Sequence, residues 1–380
     1  MASITVLRER VDGAVIMPDD PDYDEARRVY NFMIDKHPAA VVRCANVQDV
    51  QGTVEYARTT GRELAVRGGG HSVPGFGTAD DAIVADLSMM NDVRVDHASQ
   101  TAHVGGGATW GTFNDAGYDH GLGTTGGIIS TTGVGGLTLG GGIGYLARSH
   151  GLSCDNLISA QVVLADGQVV TASETSRPDL FWALRGGGGN FGIVTDFEFR
   201  MHPVRDIYGG LLLFEPEDAQ DVLRYFRDFI ADAPREYGGF PAWQLAPPLP
   251  FVPEDRVGDP FIVVVSCWNG DHDEGARLPK RGQQLLQVGD DGQAVARGGA
   301  GIGQGHAGAV IGDRANRPGR QLLLHHRPVG GKAERARFQE DGQGRALRSQ
   351  ADHMQPSAVD LDPLTARVRR AADGGHGGSR

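Results

Sequence analysis

Apolar positions fall at two alternating spacings along the first 275 residues. Residues 40–44 (AVVRC) form a short apolar run that reads as a strand. In 46–61, Val47, Val50, Val54 and Ala57 recur at helical spacing. Asn46 stands at the N-cap position and Gly61 where the helix would end. Residues 63–67 (ELAVR) then run as a strand into a row of glycines. Residues 81–88 and 100–107 read as two more strands, and 109–121 as a helix ended by Gly121. In 159–173 two apolar runs flank Asp166-Gly167, which predicts a β-hairpin. A short helix at 179–186 precedes a strand at 191–204, with apolar positions at Val194, Phe197 and Phe199. Strands and helices alternate over 35–205 without a regular βαβ period, so an α+β domain is expected. Residues 208–234 then read as strand, turn and helix, 240–260 as a proline-rich connection, and 261–275 as a strand. These open a second unit.

The chain has 380 residues, enough for two domains. Its net charge of −12 disfavours nucleic acid or an anionic membrane as main partner. The first twenty residues lack an apolar core of signal-peptide length, and no run approaches 18 apolar residues. A soluble, cytoplasmic protein is the expectation. Cys44, Cys154 and Cys267 are widely spaced, which gives neither a disulfide framework nor a zinc site. The 57 glycines are about twice the usual share. Glycine therefore has a task.

That task is concentrated in four segments: 67–77 (RGGGHSVPGFG), 103–111 (HVGGGATWG), 124–144 (TTGGIISTTGVGGLTLGGGIG) and 184–192 (LRGGGGNFG). Each adjoins a strand or helix edge, so together they read as one site built from several loops. Successive backbone N–H groups without side chains make a concave anion-binding surface, which suits a pyrophosphate. No GxxxxGK[ST] run is present, and the G-x-G of 140–144 lacks the strand and acidic partner of a dinucleotide fingerprint. His71 follows Gly68, Gly69 and Gly70 directly. A neutral imidazole there is a nucleophile placed against the cofactor. Read alone, the same histidine is more ordinarily loop polarity or a satisfied hydrogen-bond donor.

The motifs of 66–96, 133–167 and 177–199 resemble, in order, those of the FAD-linked oxidases with a PCMH-type (vanillyl-alcohol-oxidase-like) flavin domain. They are most similar to the berberine-bridge-enzyme and 6-hydroxynicotine-oxidase branch. The resemblance implies a PCMH-type FAD-binding domain over 35–205, after an N-terminal segment 1–34, and an incomplete α+β substrate domain from 206 to 277. It implies FAD linked through His71 to its 8α-methyl group. Arg67, Gly68, Gly69, Gly70, His71, Ser72 and Gly75 would form the pyrophosphate turn. Thr132, Gly133, Gly135, Gly136, Gly141 and Gly142, with the loop on to Gly144, would line the cofactor's other side, and Ile193 and Val194 would offer backbone groups toward the adenine. Relatives with a second, cysteinyl bond carry it at the position of Ile129, so a single bond is implied here. The family reaction takes a hydride from a small alcohol, amine, sugar or N-heterocycle, with dioxygen as acceptor.

The resemblance stops near 275–278. Family members continue into a substrate domain with a base, often tyrosine, and a Y-x-N-like return segment. After Trp268 the only aromatic here is Phe338. Residues 278–380 hold 16 Lys+Arg against 10 Asp+Glu, opposite in sign to the chain's total. Three readings compete for this tail: a disordered extension, a divergent domain, and a reading-frame shift, which the abrupt boundary favours. Few buried apolar contacts are expected there. The catalytic base stays unassigned, and His120, His150 and Tyr145 read as structural. Two other functions remain open: a flavin-binding remnant without turnover, and a phosphate-binding module without flavin.

Overall fold

The computed structural model describes residues 4–204, 207–246, 248 and 254–275, with two short strands at Gly303–Gln304 and Gly308–Val310. The remaining expectations for 278–380 lie outside the described residues.

The first sheet has the spatial order Ala14–Ile16, Ala40–Arg43, Ile83–Asp86, Leu64–Arg67. Both Ala40–Arg43 and Leu64–Arg67 run parallel to Ile83–Asp86. The helix Val47–Thr60 makes the crossover between them, so one local βαβ unit does exist. Its ends follow from the sequence. The Asn46 side chain accepts from Asp49 N, and Gly61 closes the helix at φ +69°. Ile83–Asp86, covered on both faces, is buried throughout, as its apolar run requires.

The second sheet is antiparallel, in the order Val93–Asp96, Thr101–Gly105, Ile193–Arg200, Leu157–Val163, Val169–Ser173. The hairpin turns at Gly167, with φ +84°. A register shift lies between Val194 and Asp196. This bulge explains why Val194 and Phe197, three apart, both face the core: Thr195 takes the extra place, and its hydroxyl donates to Gln161 Oε1 at 2.9 Å. Trp110, Phe113, Phe197 and Phe199 stack in that core beneath the helix Trp110–Asp119. Val163 and Ile193 turn instead to the first sheet's core.

A third sheet holds Tyr237–Leu245, Pro260–Trp268 and Tyr208–Phe214, and the short strand Gly303–Gln304 extends it. Residues 240–245 are thus strand, where the prolines suggested a connection. Pro241 is accommodated because, among the described residues, Tyr237–Leu245 is the edge strand and needs no second ladder of N–H donors. The helix Ala219–Asp232 packs Val222 on Ile262 and Val264. Arg148 joins this unit to the rest. Its guanidinium donates to the carbonyls of Ala233 and Pro234 at 2.8 Å, Tyr237 at 2.9 Å and Ile230 at 3.3 Å, capping the helix's open C-terminus. All three cysteines are free and buried, and burial pushes the Cys44 thiol up to about 12 and Cys267 to about 11. No described helix is long and apolar enough to cross a membrane.

His150 and His202 stack face to face, ring centroids 3.9 Å apart. The Asn156 amide nitrogen donates to the carbonyls of His150 and Leu152, which leaves Asn156 Oδ1 to accept from His202 Nε2 at 2.7 Å. Burial first, then His150 and Arg200, push the His202 pKa down to about 4. The unfolded chain takes up this proton near pH 6.5, and the folded one only near 4. Stability is therefore full above about pH 6.5 and falls as pH drops toward 4. Thermal melts from pH 7.5 to 4.5 should show that loss, and His202→Gln should flatten it. An unchanged slope in the variant would remove His202 as its source.

Candidate cofactor site

The strand Leu64–Arg67 ends at a buried ion pair. Arg67 Nη2 donates to Asp86 Oδ2 at 2.8 Å, Arg67 Nη1 donates to the Arg28 carbonyl, and Arg43 Nε lies 3.9 Å from the same carboxylate. The Arg67 carbonyl accepts from Leu87 N at 2.9 Å. Arg67 is therefore a strut that aims the loop behind it, with its guanidinium already engaged.

The loop it launches packs backbone against backbone. A Cβ on Gly69 would collide with Gly133 N, and one on Gly133 would collide with Gly69 N. Gly68 and Gly135 both face the Gly106 carbonyl, each with 3.3 Å to a Cβ built on it. Gly106 in turn lies against the Val194 carbonyl, and its N–H donates to Thr195 O at 2.9 Å. The structure thus brings the segments around 68–71, 106, 133–135 and 194 together. Ser72 and Gly75 form a separate turn: Ser72 O accepts from Gly75 N, and Ser72 Oγ from Phe76 N. Gly141 and Gly142 join through the short helix Val134–Leu139. Their carbonyls accept from Cys154 N and Ser153 N, and a Cβ on Gly142 would collide with Ser153 Oγ. Ile193 and Val194 are 4% exposed, in strand pairing with Val163 and Val162.

His71 stands at the mouth of this cradle, half-buried. Its Nε2 lies 2.9 Å from Thr131 Oγ1 and its Nδ1 3.4 Å from Thr132 Oγ1. The Tyr30 ring stacks on the imidazole at 3.9 Å and 16°. Burial holds His71 below the usual histidine range, so the neutral ring predominates at neutral pH. Tyr30, Asn31, Phe32, Met33, His71 and Val73 line a cleft of about 440 Å³. Sequence reasoning missed Tyr30 to Met33 and Thr131. Phe32 and Met33 are each 89% exposed, an adjacent pair of large apolar groups that a free surface rarely carries.

Two observations fit a large polar ligand along the wall. The hydroxyls of Thr124, Thr125 and Thr138 and Trp110 Nε1 are buried with no partner among the described residues. Such groups cost about 1–3 kcal/mol each when left unmade. And Gly136, inside a helix, has nothing within 4 Å of where its Cβ would stand. A helix with room for a side chain, yet built with glycine, gives up about 0.5–1 kcal/mol relative to alanine. Gly136 is exposed and faces open space.

Residues 38–173 match the family profile described as "FAD binding domain". The chain is 37% identical over 207 residues to (R)-6-hydroxynicotine oxidase of Paenarthrobacter nicotinovorans, covering 54% of this chain and 45% of that protein. Among solved structures, 6-hydroxy-D-nicotine oxidase from Arthrobacter nicotinovorans aligns with TM-score 0.66 and 30% identity, over 77% of this chain and 62% of that one. A glucooligosaccharide oxidase from Acremonium strictum, whose flavin is described as 6-S-cysteinyl, 8α-N1-histidyl FAD, aligns with TM-score 0.67 and 28% identity, over 80% and 61%. The chain spans about half the length of the curated relatives it matches. The profile match spans the glycine-lined segments 68–71, 106 and 133–142, so residues 38–173 are an FAD-binding domain, and the chain is similar to the FAD-linked oxidases with a PCMH-type FAD-binding domain, among them 6-hydroxynicotine oxidases and berberine-bridge-like proteins.

Proposed function

We propose that the protein is an FAD-dependent oxidase whose flavin is held covalently by His71. The observation that carries this reading is the neutral, stacked His71 imidazole at the mouth of a cradle built where Gly69 meets Gly133. The residues present suit the cofactor. Backbone N–H groups of Gly68 to Ser72 would receive the pyrophosphate, with Arg67 bracing the strand beneath them. Thr132 and the wall from Gly133 through Gly142 would flank the ring and ribityl chain, Gly136 leaving room and the buried threonine hydroxyls gaining partners. Val194, behind Gly106, belongs to the same wall, and Ile193 adjoins it. Ile129 at the cysteinyl position leaves one covalent bond, not two. Bound FAD would accept a hydride from the substrate and deliver the electrons to dioxygen.

The substrate class follows the relatives: a small alcohol, amine, sugar or N-heterocycle. Proteins named for oxidising 6-hydroxynicotine and oligosaccharides share this scaffold. A cytoplasmic setting, with no membrane or nucleic-acid partner, is part of the same reading. The alternative is a flavin-binding remnant without turnover.

The test is the absorption spectrum of the purified chain. Flavin bands in the 350–450 nm region that survive acid precipitation are expected. His71→Ala should remove all acid-stable flavin while leaving weak reversible binding; acid-stable flavin in that variant would sink the assignment. A donor that bleaches the bands, with peroxide formed on aeration, separates the oxidase from the remnant. Two glycines make a further contrast. Gly133→Ala, forced into Gly69, should destabilise the fold by about 1–3 kcal/mol. Gly136→Ala should stabilise the flavin-free chain by about 0.5–1 kcal/mol while weakening FAD binding. Equal melting shifts in both variants would contradict the packing described, and undiminished FAD affinity in Gly136→Ala would contradict its place on the wall.

A further inference from the structure

The third sheet has two faces, and its helix covers one of them. Leu212, Phe214, Ile262 and Val264 turn to the helix Ala219–Asp232. The alternate positions stand on the other face and form two rows across three strands: Leu211, Val265 and Phe240, then Leu213, Val263 and Ala242. None of these six belongs to a described hydrophobic core, and all but Val263 are only partly buried.

One end of this face adjoins the cofactor wall. Gly238 has no room for a Cβ against the Tyr145 carbonyl. The Tyr145 and Phe240 rings lie nearly parallel, with centroids 6.1 Å and planes 10° apart. Tyr145 directly follows Gly141 to Gly144, and Gly144 is itself packed on the Gly126 carbonyl. Arg148 and Ser149 then bind carbonyls of the same unit, which holds the sheet beside the wall. The six side chains carry no polar atom. At the Tyr145 end, burial pushes the Cys267 thiol up to about 11 and raises the Tyr145 phenol, so both are uncharged at neutral pH. Among the described residues the Tyr145 hydroxyl has no hydrogen-bond partner.

We infer that Tyr145 and Phe240, with the aliphatic rows beside them, select an uncharged planar ring as substrate and reject a polyhydroxylated sugar. The inference rests on the flavin reading above, which makes the wall before Tyr145 the flavin's. A small ring with one heteroatom can lay its face on Phe240 and Leu211 and offer the heteroatom to the Tyr145 hydroxyl. A sugar laid there would bring several hydroxyls against hydrocarbon and find one partner for all of them. A carboxylate or ammonium group would lose its water and meet no opposite charge among these side chains. Of the substrate classes above, a neutral N-heterocycle fits this face and a sugar does not.

The test uses the full chain loaded with FAD and two probes, quinoline and cellobiose. Binding is read by equilibrium dialysis and by the change in the visible flavin band. Quinoline should bind and shift the band; cellobiose at the same concentration should do neither. Phe240→Leu keeps apolar bulk but loses the ring, and should weaken quinoline roughly threefold to tenfold. Tyr145→Phe should weaken quinoline by a similar factor and leave toluene, which has no heteroatom, unchanged. Leu211→Asn, at a partly exposed position on another strand, gives a second reading should Phe240→Leu fail to fold, and should also weaken quinoline. Cellobiose binding as tightly as quinoline would overturn the proposal. So would quinoline binding that neither Phe240→Leu nor Leu211→Asn alters, or that leaves the flavin band unmoved. A chain that takes up no FAD overturns the flavin reading and the substrate role with it. A yellow chain that ignores quinoline overturns the ring selection alone.

Discussion

Two backbones meet without side chains at Gly69 and Gly133, and most of the candidate site depends on that meeting. The first residue follows a strand of the first, mixed sheet; the second opens a helix lying against the antiparallel sheet. Neither position tolerates a Cβ because each would drive into the other's amide nitrogen. The approach sets where Thr131 and Thr132 stand relative to His71, and it brings Gly106, Gly135 and Val194 into one wall. A wider separation would leave the same residues as unrelated surface loops.

The electrostatics of the cradle are arranged around that contact. Among the described residues, the buried ion pair at the end of the strand beneath the cradle, Arg67 with Asp86, neutralises itself. What the loops offer inward is dipolar: amide N–H groups, threonine hydroxyls and one neutral imidazole. Such a surface binds an anion through oriented dipoles and leaves the histidine uncharged, which nucleophilic use of the ring requires. A second lysine or arginine facing His71 would hold the ring neutral too, but would compete for the same phosphates.

Much of the fold was legible because local chemistry and tertiary context agreed. Asn46, Gly61 and the Asp166-Gly167 turn all did what their side chains or lack of them dictate. The strand at 240–245 was hidden by Pro241, whose rule depends on being at a sheet edge, a fact that pairing alone decides. The glycine loops and His71 were legible as a dense, repeated pattern. Tyr30 was not. Residues 28–34 have no period, and their place beside His71 comes from bonds reaching about forty positions along the chain, Tyr30 to Gly70 and Asn31 to Val73. Thr131 escaped for another reason: a threonine in a loop is ordinary until the atom opposite it is known.

The contact of Gly69 with Gly133 also couples the site to folding itself. The two glycines lie more than sixty residues apart and sit in different layers, so the cradle does not exist until both layers have docked. Any molecule bound there recognises only the docked state, and its binding free energy adds to the stability of the whole two-layer arrangement, about 2.7 kcal/mol when present at a hundred times its dissociation constant. A covalent bond at His71 would make that contribution independent of concentration. The cofactor would then act as a mechanical pin through both layers, and the chain's resistance to unfolding would record whether the pin had been set.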